Sequence, residues 1–143
     1  MKNEKLKHLF SGLVVVIFSI IAIASTEETI EVDIAGKSPE VTVTAHEINQ
    51  AYEANEVAAD VKYKGKVIQV SGVVEGIEKD FMDTIFVKLS AGGEFGYASV
   101  ECYFGDSHQA DAASLSKGQR VTIKGLGDGY LGDVMIRGCT LVK

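Results

Sequence analysis

A chain of 143 residues has room for one domain and a leader. Fourteen Lys and Arg stand against 20 Asp and Glu, a formal charge of −6, which argues against long-range attraction to phosphate backbones. There is no internal repeat and no low-complexity tract.

The N-terminus stands apart from the rest. Lys2, Lys5 and Lys7 make a basic start, and Leu9 to Ala24 is an uncharged run of about 16 residues. Ala22-Ile23-Ala24 then supplies small residues for cleavage before Ser25. A membrane-spanning helix usually takes about 20 apolar residues. Residues 1–24 are therefore expected to be a cleaved signal peptide, with an uncleaved N-terminal membrane anchor as the alternative. Either exports the remainder to the periplasm or cell envelope. No cysteine follows the run, so attachment by the bacterial lipoprotein route is not open. The leader holds three of the 14 basic and one of the 20 acidic residues, so the rest carries 11 against 19, a formal charge of −8.

Residues 25–43 read as a spacer, acidic at its start and holding the only proline, Pro39. Val41 and Val43 alternate with Thr42 and Thr44, which admits a short strand; a tether is the plainer account. A helix is expected next, because Thr44-Ala45-His46-Glu47 has capping-box spacing and Ile48, Ala51, Tyr52 and Ala59 recur at helical intervals. Gly65 closes it. Five strands follow: Val67–Ile77, Thr84–Leu89, Tyr97–Phe104, Arg120–Gly125 and Val134–Val142, with Ala-rich Gln109–Leu115 as a helix between the third and fourth. That order predicts an all-β domain with accessory helices over residues 44–143, a five-stranded OB-fold Greek-key barrel behind an N-terminal helix. Gly72 and Gly125 in mid-strand suit the bulges a small barrel needs. Gly127 to Asp133 reads as the loop joining the last two strands.

Little in the chain points to catalysis. His8, His46 and His108 share no metal-ligand spacing, and no nucleophile elbow or phosphate loop is present. Asp128 and Asp133 fit turn chemistry better than a calcium loop. The reading is a non-enzyme with no catalytic residue, metal or cofactor. The aromatics are the better lead. Phe86 on the second strand, with Tyr97 and Tyr103 on the third, falls opposite the core residues by parity, and Phe81 and Tyr130 lie in the first and last connecting loops. These five form the candidate ligand surface. The plainer alternative packs Phe86 or Tyr103 beneath the N-terminal helix against Tyr52. Lys62, Lys64 and Lys66, with Lys88, would have to track phosphates for a nucleic-acid role, but three alternating lysines also describe a solvated edge.

Cys102 and Cys139 fall on the third and fifth strands, neighbours in such a barrel. A disulfide there would close a loop of about 38 residues and contribute about 4 kcal/mol in the chain-entropy model. Two buried thiols are the other account.

Asn55-Glu56-Val57-Ala58-Ala59-Asp60-Val61-Lys62-Tyr63-Lys64-Gly65, with Val70-Ser71-Gly72-Val73-Val74, Glu101-Cys102-Tyr103-Phe104, Lys117-Gly118-Gln119-Arg120-Val121 and Asp133-Val134-Met135-Ile136-Arg137-Gly138-Cys139, resembles the tRNA-anticodon-like OB-fold family of bacterial envelope proteins. The resemblance spans residues 44–143. It implies an OB barrel in an exported or lipid-anchored protein and no known activity. The expectation is a non-catalytic binding module of the envelope. Its partner would be an envelope protein, glycan or small ligand, and the membrane would be engaged only through an uncleaved N-terminal segment. Single-stranded nucleic acid is the disfavoured alternative.

Overall fold

Alternating Val, Ile and Leu build the strands of the computed structural model, which describes residues 33–93 and 95–143. The leader over residues 1–24 lies outside the described residues. Strand β1 is Val41–Thr44, helix α1 Ala45–Ala54, helix α2 Glu56–Tyr63 and strand β2 Val67–Lys79. Strands β3 (Ile85–Gly92) and β4 (Ala98–Phe104) follow. After a short 3₁₀ turn come helix α3 (Gln109–Ala113), strand β5 (Arg120–Tyr130) and strand β6 (Val134–Leu141).

The long β2 closes the barrel by pairing on both sides. Its first half lies antiparallel to β5 and its second half antiparallel to β3. β3 pairs with β4, β4 runs parallel to β6, and β6 returns antiparallel to β5. This is the five-stranded OB barrel expected from the strand order. Inside it lie Ile68, Val70, Val87, Leu89, Val100, Phe104, Ile123 and Ile136, each essentially inaccessible to solvent. Helix α1 covers one opening with Ala45, Ile48 and Tyr52.

Three departures from the sequence reading have physical causes. Val41–Thr44 is a strand, parallel to Ile68–Ser71, and the preceding residues are built in as well. Ile34 is fully buried, the Glu40 carboxylate accepts from the Val67 amide at 2.8 Å, and Lys124 Nζ donates to the Ala35 and Lys37 carbonyls. A tether would make none of these contacts.

The expected single helix is two. The capping box at Thr44 forms as read, with the Thr44 hydroxyl accepting from Glu47 N and the Glu47 carboxylate accepting from Thr44 N. Asn55 then leaves the helical region at φ −164°, and its Oδ1 accepts from Ala58 N at 3.0 Å, so one residue ends α1 and caps α2.

The third departure is β5, which runs to Tyr130 where a loop was expected from Gly127. Its inward positions are Val121, Ile123, Gly125, Gly127 and Gly129. A Cβ at Gly125 would meet Ile136 Cγ2 at 2.5 Å, and one at Gly127 would meet the Tyr63 carbonyl oxygen at 2.2 Å. At Gly125 and Gly127 glycine is used for close packing, not for turning. The bulge foreseen at Gly125 forms, since the β5–β6 register shifts between Lys124 and Leu126. That in β2 lies between Val74 and Gly76, not at Gly72, over which Ala45 packs.

Cys102 and Cys139 meet across the β4–β6 seam, both fully buried, and they are free thiols where a disulfide was expected. Cys139 Sγ donates to the Ile136 carbonyl at 3.3 Å. Burial, then the hydrogen bond and charge of Cys102, push the Cys139 thiol well above its usual range.

Candidate binding surface

The outer face of β3 and β4 carries a stacked aromatic pair. Phe86 lies directly across from Tyr103, with ring centroids 5.0 Å apart and planes inclined by 26°. A polar network closes over them. Tyr103 donates its hydroxyl to Glu101 Oε2 at 2.8 Å, and Lys88 Nζ sits 3.7 Å from Glu101 and 3.9 Å from Glu78. Burial, reinforced by the Glu101 carboxylate, pushes the Tyr103 hydroxyl up to about 12. Phe86 is thereby 7% exposed, so it serves as a floor and not as an open stacking platform.

The five aromatics singled out in the sequence separate into different places. Phe86 and Tyr103 form the stack. Phe81 is 97% exposed in the β2–β3 loop, beside Met82. Tyr97 stands just before β4, 86% exposed, at the far end of the strands from Phe86. Tyr130 belongs elsewhere: its ring stacks on Tyr52 at 5.6 Å, and Tyr52 in turn meets Tyr63 at 6.1 Å. Tyr52 donates to Asp60 Oδ1, and burial followed by that bond raises its hydroxyl above the ordinary range. This cluster seals α1 and α2 onto β5. Tyr52 is therefore the partner of Tyr130 and Tyr63, and not of Phe86 or Tyr103.

Phe95 and Leu131, missed in the sequence, complete the surface. Each tops a glycine-containing connection, the β3–β4 and β5–β6 turns, and each is about four-fifths exposed, at 79% and 83%. An apolar side chain inside a glycine turn was the available signal. Of the four lysines only Lys88 joins this surface. Lys62 lies over the Tyr63 ring at 5.0 Å, and Lys64 and Lys66 meet β5 around Gly127, at the opposite end of β2 from Glu78. Among the described residues no three His, Cys, Asp or Glu side chains assemble into a metal site. Nor is any helix among them long and apolar enough to cross a membrane.

A closed barrel of this order, capped by a helix, defines an OB-fold domain of the binding type. The chain belongs to the tRNA_anti-like family, whose profile matches residues 1–140. A lipoprotein from Klebsiella pneumoniae subsp. pneumoniae, to which nucleic-acid binding is provisionally ascribed, shares the fold. It aligns with a TM-score of 0.58 at 22% identity, over 71% of this chain and 91% of that one. An OBody bound to hen egg-white lysozyme aligns with a TM-score of 0.44 at 26% identity, over 57% of this chain and 84% of that one. Asparaginyl-tRNA synthetase from Entamoeba histolytica, in complex with asparaginyl-adenylate, gives 0.39 at 19% identity, over 55% of this chain and 21% of that one. No curated protein matches.

Proposed function

We propose that this protein is a non-catalytic binding module of the bacterial cell envelope that holds an extended ligand across the outer face of β3 and β4. One observation carries the reading. Of the eight large apolar side chains exposed among the described residues, five (Phe81, Met82, Phe95, Tyr97 and Leu131) sit in the three turns that bracket this face. Exposed apolar side chains at both ends of one face suit a ligand that spans it, and OB barrels bind on this face. Export is supported by the basic start, apolar run and Ala22-Ile23-Ala24 of the leader, and by a lipoprotein of the same fold.

The charges favour a protein segment, glycan or small molecule over nucleic acid. Among the described residues of β3 and β4, Lys88 is the only lysine on the face, and it lies between two glutamates. A phosphate chain would have to displace both carboxylates, and Lys62, Lys64 and Lys66 stand at the other end of β2. The nucleic-acid role ascribed to the Klebsiella lipoprotein therefore has little support in this chain's charges.

The test places a photo-crosslinking residue at Phe81 in the intact cell envelope. A discrete adduct is expected, weakened by the second-site variant Leu131→Ser at unchanged protein level. Absence of any adduct from Phe81 overturns the face. Oligothymidylate binding that falls steeply with salt would replace the ligand class with nucleic acid.

A further inference from the structure

Next to this face lies a cleft of about 450 Å³, lined by Glu53 of α1, Gly93, Phe95 and Tyr97 of the β3–β4 turn, Ala98 of β4, and Asp133 with Gly132 of the β5–β6 turn. Its chemistry is one-sided. Among the described residues it presents two carboxylates and two exposed aromatic rings, and no lysine or arginine lines it. Among the described residues no cation pairs with Glu53 or Asp133.

The two acids are differently held. Asp133 is fixed, because its Oδ1 accepts from the Ser99 amide at 3.0 Å, leaving its second oxygen for the cleft. Glu53 stands in the last turn of α1, which contains no basic residue. A helix C-terminus carries partial negative charge, so Glu53 adds to that field instead of balancing it. The helix end, Glu53 and Asp133 together make a local field suited to a cation. Phe95 and Tyr97 supply ring faces that attract one.

We propose that this cleft binds the guanidinium group of an arginine side chain carried on an extended peptide. Guanidinium matches the site better than ammonium: it is planar, stacks on aromatic rings, and offers paired donors to a carboxylate. Exposed Leu131 at the rim gives apolar contact to residues flanking the arginine. The acidic surplus of the chain favours encounter with a basic segment. The inference rests on the reading of the β3–β4 face as the binding surface and names the chemistry at one end of it.

The test is a titration of the ¹⁵N-labelled full chain, in a neutral detergent, with acetyl-Gly-Arg-Gly-amide followed by NMR. Saturating shifts are expected at Gly93, Tyr97 and Gly132, with none from the peptide in which neutral citrulline replaces arginine. Glu53→Gln and Tyr97→Ala should each weaken binding about fivefold. Asp133→Asn, which keeps an acceptor for Ser99 N, should do the same and leave the fold unchanged. Absence of saturation, an equal response to citrulline, or tighter binding of the lysine peptide or of choline overturns the proposal. Shifts confined to Phe86 and Tyr103 overturn it too. The adduct at Phe81 forms at the other end of the face from the cleft, so its presence or absence, taken without the Leu131→Ser variant, reports separately whether the face itself is in use.

Discussion

Tyr103 shows how one side chain can serve both packing and surface chemistry. Its ring rests on Phe86 and its hydroxyl is committed to Glu101. Its ionisation is raised from the ordinary 10.0 to about 12, so folding favours the neutral form. The associated stability is complete below pH 10 and is lost as pH rises toward 12. Thermal melts across that window should show a falling midpoint in the wild type and a flatter curve in Tyr103→Phe. The thiols give a second test at this scale. With Cys139 held far from its thiolate by burial, neither cysteine should react with iodoacetamide until the protein is unfolded. Mass gain in the folded state, or two sulfurs blocked until reduced, would contradict the thiol pair described above.

At the scale of elements, glycine decides more than its usual association with turns suggests. Gly127 exchanges backbone hydrogen bonds with the residues just after α2, Gly65 N to Gly127 O at 2.8 Å and Gly127 N to Lys66 O at 3.0 Å. A methyl group there would drive the Tyr63 carbonyl away. Gly127→Ala should therefore cost about 3 kcal/mol by urea denaturation, with the Tyr52–Tyr63–Tyr130 cluster loosened as well. The same residue explains why β5 was only half legible. Composition alone presents Gly127 and Gly129 as a loop, because the reason for Gly127 lies in Tyr63, far along the chain, and Gly129 takes a positive φ of 97° that also reads as a turn. The strands with ordinary alternation, such as Ile85-Phe86-Val87-Lys88-Leu89, were readable for the opposite reason, since their signal is local. Asn55 falls between these cases: its capping chemistry is local, but the unbroken apolar spacing around it masks the break.

At the scale of the molecule, the strand order was enough to give the barrel, and parity was enough to bring Phe86 and Tyr103 to one face. Parity could not say how exposed they are. That depends on Glu78, Lys88 and Glu101 arriving from three strands. The arginine cleft was illegible for a related reason, since Glu53, Tyr97 and Asp133 come from a helix and two turns that only the closed barrel assembles.

The double pairing of β2 has a temporal consequence. One flank of β2 is satisfied only by β5, and β5 by β6, the last strand of the chain. A growing or threading polypeptide that has delivered everything up to β4 still has an open sheet. Contacts this distant in sequence slow folding, and they also postpone it. A chain passed through a membrane N-terminus first would remain pliable throughout the passage and become a rigid body only on arrival.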